Sequence, residues 1–337
     1  GPIFIECMTC RWKEHVGPND DFGLGFRSAQ DVQKWKDEDE LNVIGELIAP
    51  DRRIQIEADV DAAIEDAIEF AEQSPFPEPA ELYTDVLKEH PIQPNLTPTF
   101  HVLERELSFV DAVQEALDQE MGRDESVIVF GLDVDDPKAI LGTTRDLPQK
   151  YGASRVFGTP LAEDAMTGAA IGMAIAGLRP VHIHIRMDFL MLAMNQLVNM
   201  AAKSRYTFGG QVSVPLVVRS MIGRSWGQGA QHSQAFHSFF MHVPGIKVVA
   251  PSNPFDAKGC LMAAIRDDNP VIYIEHRLLH LQKGPVPKQA YEVLPGKARV
   301  TNVGSDVTLV GISHMQLECI RAHRYLQGVD NLFTAHA

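Results

Sequence analysis

Residues 158–185 read Gly158-Thr159-Pro160-Leu161-Ala162-Glu163-Asp164-Ala165-Met166-Thr167-Gly168-Ala169-Ala170-Ile171-Gly172-Met173-Ala174-Ile175-Ala176-Gly177-Leu178-Arg179-Pro180-Val181-His182-Ile183-His184-Ile185. The run divides by its period. From Pro160 to Ala176, small and apolar residues recur every three or four positions, which predicts a helix. Pro180 to Ile185 is a short apolar run of strand length. Ala165, Gly168, Ala169, Gly172 and Ala176 share one face of the helix, so that face is nearly bare backbone. An interior glycine costs roughly 1 kcal/mol relative to alanine. Two of them imply that another helix approaches closely, within the subunit or across an interface.

The alternation continues in both directions. Upstream, Ser108 can cap a helix from Phe109 to Met121, Gly122 stops it, and Val127-Ile128-Val129-Phe130 and Val156-Phe157 follow as strands. Downstream, helices are expected at Leu190–Lys203 and Phe255–Arg266, and strands at Val212–Arg219, Lys247–Ala250 and Val271–Glu275. Short apolar strands alternating with helices specify an α/β fold, a three-layer parallel sheet with helices on both faces. A further, incomplete unit starts near Gly296, with one strand (Val307–Ile312) and one helix (His314–Leu326).

The first quarter of the chain has another texture. Residues 1–90 hold 22 of the 45 acidic residues and only 8 of the 30 basic ones, nearly all of the net charge of −15. They open on a strand-like run, Ile3 to Cys7, followed by a polar loop from Lys13 to Arg27. Helical periods come next at Ala29–Glu38, Glu40–Ile48 and Ala58–Glu72. The last carries Val60, Ile64, Ile68 and Ala71 on one stripe. Prolines at 75, 77 and 79 end it, and residues 91–104, with Pro91, Pro94 and Pro98, read as a linker. The expected organisation is therefore 1–90, a linker over 91–104, a main domain over 105–290, and the start of another over 291–337. An opening strand without a partner and a closing β-α without its next strand suggest a portion of something longer, or neighbours supplied by other chains.

Composition excludes several classes. No basic patch offsets the acidity, so nucleic acid is not the expected ligand. No run reaches the roughly 18 apolar residues of a membrane span, and no basic-then-apolar leader is present. The four cysteines are Cys7, Cys10, Cys260 and Cys319. A single Cys-x-x-Cys on a strand points its thiols to opposite sides, so zinc is not expected there. The pattern fits a reducing, cytoplasmic location.

Three places could carry chemistry. Glu163 falls in the first turn of its helix, where the dipole favours a carboxylate and where α/β sheets bind ligands beyond the carboxyl ends of their strands. The glycine-rich stretch from Gly223 to Gln234 could present His232, a side chain suited to proton transfer near neutral pH. His182 and His184 share a strand face, but no acid or third histidine stands at a matching short spacing, so metal is not expected. Arg186, Arg224 and Trp226 are loop candidates for substrate contact.

A resemblance makes this specific. Gly158 to Asp164, the glycine-alanine helix that ends in Gly177-Leu178-Arg179-Pro180, Asn195-Gln196, Ala201 to Tyr206 and Gly209-Gly210-Gln211 are all part of it. So are Ala230-Gln231-His232-Ser233-Gln234, Val243 to Pro251 and Ala264 to Pro270. Over about residues 105–313 the chain resembles the β subunit of the thiamine-diphosphate-dependent E1 component of 2-oxo acid dehydrogenase complexes, of pyruvate, branched-chain and acetoin type. Residues 1–90 resemble the C-terminal end of an E1 α subunit, so the whole looks like an α–β fusion cut at both ends.

The resemblance implies a transketolase-type pyrimidine-binding domain. It makes Glu163 the carboxyl group that hydrogen-bonds the aminopyrimidine nitrogen, and so promotes loss of the thiazolium C2 proton. Phe189 takes the position of the aromatic that stacks on the pyrimidine. His232 matches the active-site histidine, and His15 matches an α-loop histidine near the diphosphate. The backbone carbonyls of Leu216, Ala264, Asp267 and Asn269 match a structural potassium site. The implied cofactors are thiamine diphosphate, Mg2+ held mostly by an α-type domain, and K+. The implied partners are a small 2-oxo acid, a lipoyl E2 acyltransferase and other E1 chains in a homodimer or higher oligomer. The chain alone is expected to be inactive.

Three departures stand out. The Gly-Asp-Gly…Asn signature for diphosphate and magnesium is missing. Leu132 stands where β subunits usually carry an acid, which puts the acidic link between paired sites in doubt. Val16 follows His15 where the animal pyruvate enzyme has a phosphorylated serine, so that regulation is not expected. Two alternatives remain open: a transketolase- or deoxyxylulose-phosphate-synthase-like carbon–carbon transferase, and a non-catalytic assembly protein on the same fold.

Overall fold

A computed structural model describes residues 3–14, 18–22, 27–89, 105–224, 227–296 and 298–328. The chain divides into two compact units between Pro79 and Ala80.

The first unit is helical: α1 (Ala29–Asp37), α2 (Glu40–Glu46) and α3 (Pro50–Gln73). Ser28 starts α1 with a reciprocal box, its Oγ accepting from the Asp31 N–H at 3.1 Å while the Asp31 carboxylate accepts from the Ser28 N–H. Asp39 caps α2 one way only, its carboxylate accepting from the Leu41 N–H at 3.2 Å. Pro50 occupies the first turn of α3, where a missing N–H costs nothing, so this helix starts earlier than the period from Ala58 suggests. No residue of α3 is buried, and Ile64 keeps 52% of its surface. The expected strand at Ile3–Cys7 does not form. These residues are exposed and pair with no strand among those described, and an extended segment without a ladder gains no hydrogen bonds. The divergence of the two thiols on a strand therefore does not apply; Cys7 and Cys10 are both free.

The second unit holds the sheet. In chain order it comprises β1 (Glu106–Ser108), α4 (Phe109–Arg123), β2 (Val127–Gly131), α5 (Leu147–Tyr151), β3 (Val156–Gly158), α6 (Glu163–Ile175), β4 (Arg179–His184) and α7 (Met187–Leu190). Then come α8 (Ala202–Thr207), β5 (Val217–Ile222), α9 (His237–Met241), β6 (Lys247–Val249), α10 (Pro254–Arg266), β7 (Val271–His276), β8 (Lys283–Pro285) and α11 (His314–Leu326). Six strands form one parallel sheet in the order β3-β2-β4-β5-β7-β6. The α/β expectation therefore holds. β1 and β8 pair antiparallel beside it, a two-strand clasp too short for its pattern to announce.

Three local expectations change. The helix over 190–203 is broken: α7 passes into a 3-10 turn (Met191–Ala193), then a π-helical segment (Gln196–Ala201), then α8. A π turn adds a single residue, so the apolar period conceals it. The strand expected from Val212 begins only at Val217, because Pro215 has no N–H to give a central ladder. Val307–Ile312 is not a strand; it is largely exposed and has no ladder partner.

Alternation along each strand builds two apolar layers. Val127, Val129, Val181, Ile183, Val217, Met221, Val271 and Tyr273 face α4 and α10. Ile128, Phe130, Val218, Ile222, Ile272 and Ile274 face the opposite layer with α6, α7 and α8. Ser108 caps α4 and Asn253 caps α10, each accepting a backbone N–H three residues on. Charges also tie α4 to α10. Glu120, fully buried, accepts from the Arg266 guanidinium, and the buried Lys258 ammonium donates to Glu115 at 2.6 Å and to the carbonyls of Pro287 and Gln289.

Candidate active site

The site forms where β3 turns into α6. The Thr159 N–H donates to the Gly131 carbonyl at 3.0 Å, which fixes the turn beside the end of β2. Gly131 has φ +153° there, and a Cβ would sit 2.3 Å from the Ile183 carbonyl oxygen, so only glycine lets β2 and β4 approach this closely. α6 then starts after Ala162, which offers no side-chain cap, so its first-turn N–H groups are not satisfied from its own cap. Glu163 lies in that turn, half-buried, with no hydrogen bond or ion pair among the described residues.

β4 supplies the floor. Its odd positions, Val181 and Ile183, face the α4/α10 layer; its even positions, His182 and His184, face α6. They are 2% and 5% exposed, polar side chains in a strand covered on both faces. The His182 ring stacks on Phe130 at 4.6 Å, with Nδ1 3.4 Å from the Phe130 carbonyl oxygen. A carbonyl only accepts, so Nδ1 carries the hydrogen and Nε2 is left as an acceptor. That Nε2 is buried and has no partner among the described residues. His184 Nε2 lies 3.2 Å from Thr167 Oγ, one helical turn beyond Glu163. Burial pushes the His182 pKa down to about 4. Burial also pulls His184 well below the usual histidine range, with His182 adding to it. Both rings are therefore neutral at pH 7.

α7 and the following loops form the wall. Phe189, in α7, meets His232 edge-on at 5.2 Å and 75°. His232 is held on a 3-10 turn, Ala230–His232. Asp188, beside Phe189, anchors the same loop by accepting from the Gln234 backbone and side-chain amides at 3.1 and 2.8 Å. Glu163, His182, His184, Arg186, Phe189, His232 and Leu132 all line one open-mouthed cleft.

The structure thus brings Glu163, Phe189 and His232 to one place and adds two residues that sequence reading did not assign there, His182 and His184. A signal existed: polar residues at alternate positions of a strand expected to be apolar on both sides. The small-residue face of α6 is only partly used, since Gly168 opposes the Gln196 side chain while Gly172 faces open space. His15 and Trp226 lie outside the described residues. Arg224 is exposed.

Leu216, Ala264, Asp267 and Asn269 are all buried, near the entry ends of β5 and β7. The Leu216 carbonyl accepts from the Val271 N–H at 2.8 Å, and the Asp267 carbonyl accepts from the Arg179 guanidinium at 3.1 Å. The Asp267 carboxylate is neutralised by Lys247 at 2.6 Å. Two of the four carbonyls named for potassium are thus already engaged, each through one of its two lone pairs. Among the described residues no three His, Cys, Asp or Glu side chains are grouped to hold a metal, and no helix is long and apolar enough to cross a membrane.

Fold and cleft define a pyrimidine-binding domain of the transketolase type: residues 105–281 match the transketolase pyrimidine-binding-domain family. Curated relatives narrow this. The chain is 43% identical over 238 residues to the β subunit of acetoin:2,6-dichlorophenolindophenol oxidoreductase from Cupriavidus necator, covering 68% of each. It is 43% identical over 227 residues to the pyruvate dehydrogenase E1 β subunit of Gracilaria tenuistipitata var. liui, covering 67% of this chain and 68% of that one. The chain belongs to this family, the E1 β branch of the thiamine-diphosphate-dependent transketolase-type proteins. Among solved structures, a split-gene transketolase in an inactive β4 tetramer shares the fold, with TM-score 0.52 at 19% identity over 66% of this chain and 67% of that one.

Proposed function

We propose that this chain is the pyrimidine-binding part of an E1-type enzyme that oxidatively decarboxylates a 2-oxo acid and transfers the acyl group to the lipoyl group of an E2 acyltransferase. The observation that carries the reading is the convergence of Glu163, Phe189 and His232 on one cleft. The cleft suits an aminopyrimidine, a flat ring with nitrogen acceptors and an exocyclic donor. Glu163 has no partner among the described residues and can share a proton with a ring nitrogen. The buried Nε2 of His182 is an acceptor without a donor among the described residues. Phe189 offers an apolar ring face beside them.

Thiamine diphosphate, when bound, supplies the carbon nucleophile for the 2-oxo carbonyl and a sink for the electrons released with CO2. The protein's own groups do the rest. Glu163 holds a proton on the ring nitrogen, aided by water exclusion at the base of the cleft. The neutral His182 and His184 keep the floor polar without adding charge. His232, on the wall, is placed to move a proton at the substrate oxygen. The diphosphate and its Mg2+ are assigned to a second, α-type domain of the assembly, with His15 near the diphosphate. The acid-rich first unit is read as the tail of such an α-type chain, in keeping with its separate composition and separate packing. Other E1 chains complete the site, and the open small-residue face at Gly172 is a surface they could cover. Each carbonyl in the Leu216–Asn269 corner keeps a lone pair for a structural potassium ion.

Glu163→Gln tests the reading. The variant is expected to lower 2-oxo acid decarboxylation by about a hundredfold or more, within the range general acid–base catalysis contributes, with thermal unfolding unchanged. Full activity in Glu163→Gln would remove the proposal.

A further inference from the structure

The loop that carries His232 is fastened to α7 rung by rung. Three consecutive residues of the helix meet three alternate residues of the loop. The Met187 sulfur accepts from the Phe236 N–H at 3.1 Å, Asp188 accepts from Gln234, and the Phe189 ring meets the His232 ring. The middle rung is the strongest. A single oxygen, Asp188 Oδ1, takes the Gln234 backbone N–H at 3.1 Å and its side-chain amide at 2.8 Å. Both bonds are charge-assisted, roughly twice as strong as neutral ones. Asp188 is only 9% exposed, and its other oxygen has no hydrogen-bond partner among the described residues, so Gln234 is what the carboxylate holds.

The loop itself does little to place His232. Its 3-10 turn closes on Gly229, whose carbonyl accepts from the His232 N–H at 3.4 Å and from Ser233 Oγ at 2.9 Å. Gly227 and Gly229 both have positive φ, and a Cβ added at either would meet nothing within 4 Å, so no packing wedges the upstream arm. Arg277 also reaches the His232 carbonyl, but at 3.4 Å, beyond the usual N–H···O range. The short, charged contact is the Asp188 grip on Gln234, two residues past His232.

Resting on the function proposed above, we propose that Asp188 is the positioning residue of His232. Its carboxylate holds Gln234, Gln234 holds the turn, and the turn keeps the His232 ring against Phe189, at the reach from which it moves a proton on the substrate. Asp188 is not among the residues that line the cleft, so it acts through His232. One turn of α7 thereby sets the apolar wall and the proton-moving group together. A displacement of about 1 Å at such a group can cost about a hundredfold in rate. The competing role is counter-charge: burial weakens the charged forms of Arg186 and Arg277, and Asp188 supports both.

The test has two readouts. In NMR of the full chain with isotope-labelled histidine, His232→Ala identifies the His232 ring signals, and Phe189→Leu shows how far the Phe189 ring shifts them. Asp188→Ala should carry those signals towards their positions in Phe189→Leu. Asp188→Asn keeps an acceptor oxygen for both Gln234 amides and should leave them near their wild-type positions. In the assembled enzyme, Asp188→Ala should lower kcat for 2-oxo acid turnover by about tenfold or more with KM little changed. Asp188→Asn should recover most of that loss. The same Asp188→Ala change in a His232→Ala background should cost less than about twofold further, because the two residues act as one unit. The inference is overturned by unmoved ring signals in Asp188→Ala, or by a full additive loss in the His232→Ala background. It is overturned equally by a loss in Asp188→Asn as large as in Asp188→Ala, which would mark the counter-charge role. Glu163→Gln keeps the two proposals apart. If it leaves decarboxylation intact, the cofactor reading falls, and the ring signals alone decide whether Asp188 positions His232. If it abolishes decarboxylation while the ring signals stay unmoved in Asp188→Ala, the positioning falls and the cofactor reading stands.

Discussion

The two faces of the sheet treat buried polar groups in opposite ways. On the α4/α10 face, Arg219 and Glu275 are both fully buried and meet at 2.7 Å. Burial alone would push the Glu275 carboxyl up; the Arg219 charge and His280 outweigh it and hold the group down at about 2. On the α6 face, His182 and His184 are also buried, but burial turns them neutral and one ring nitrogen is left unsatisfied. Arg219 Nη1 and Nη2 and Glu275 Oε2 make no further hydrogen bond among the described residues, so the pair is closed in charge and not in hydrogen bonding. A charge matched by its partner belongs to stability. A polar group left open toward a cleft belongs to binding. The same strand spacing made both, and the neighbours decided which is which.

The largest expected effect comes from breaking the closed side. Arg219→Met strands the Glu275 charge and should lower unfolding free energy by about 3–5 kcal/mol, read by urea denaturation. An unchanged midpoint would mean that the pair contributes nothing to the fold. Next comes pH. The histidine pKa on the open side lies below the unfolded value, so the unfolded chain takes up the proton first as pH falls. The stability linked to His182 is complete above about pH 6.5 and lost as pH drops toward 4. Glu275 behaves as a depressed carboxylate: its contribution is present above about pH 4.5 and lost as pH falls toward 2. Thermal melting should therefore decline in two steps, and His182→Phe should reduce the upper one, to which His184 also contributes.

His182→Phe also sharpens the contrast directly. Phenylalanine keeps the stack on Phe130 and removes an unsatisfied nitrogen, so stability should hold or rise by about 1 kcal/mol. Ligand affinity in the cleft should fall about tenfold, the loss of one hydrogen bond in a dry site. A smaller change is expected from potassium. Exchanging potassium for tetramethylammonium should lower the melting temperature by a few degrees if the Leu216–Asn269 corner holds the ion; an unchanged melting temperature would remove the ion from that corner. The smallest lies in the first unit: Ile64→Gln on the exposed stripe of α3 should shift stability by no more than about 0.5 kcal/mol.

Much of this was legible in the order of residues. Val127–Phe130, Val156–Phe157 and the run after Pro180 announce parallel strands by length and apolar content. Ser108 and the Gly158–Asp164 turn announce where helices begin. Glu163, Phe189 and His232 came from motif resemblance. Ile3–Cys7 and Val307–Ile312 were misread because a strand is a pairwise object: apolar content permits it, but only a neighbour completes its hydrogen bonds. The π turn at Gln196–Ala201 escaped because one added residue barely disturbs an apolar period.

The amino-acid sequence by itself determined the class of fold, the split in charge between the first quarter and the rest, and the identity of the family, because period, composition and motif are properties of neighbours along the chain. Only the tertiary structure decided that His182 and His184 face α6 and not the α4/α10 layer. It alone decided that Arg219 finds Glu275, and that Arg186 and Arg277, 91 positions apart, share one acceptor. Those are distances across strands and loops, and they set desolvation and charge pairing, which no spacing along the chain encodes.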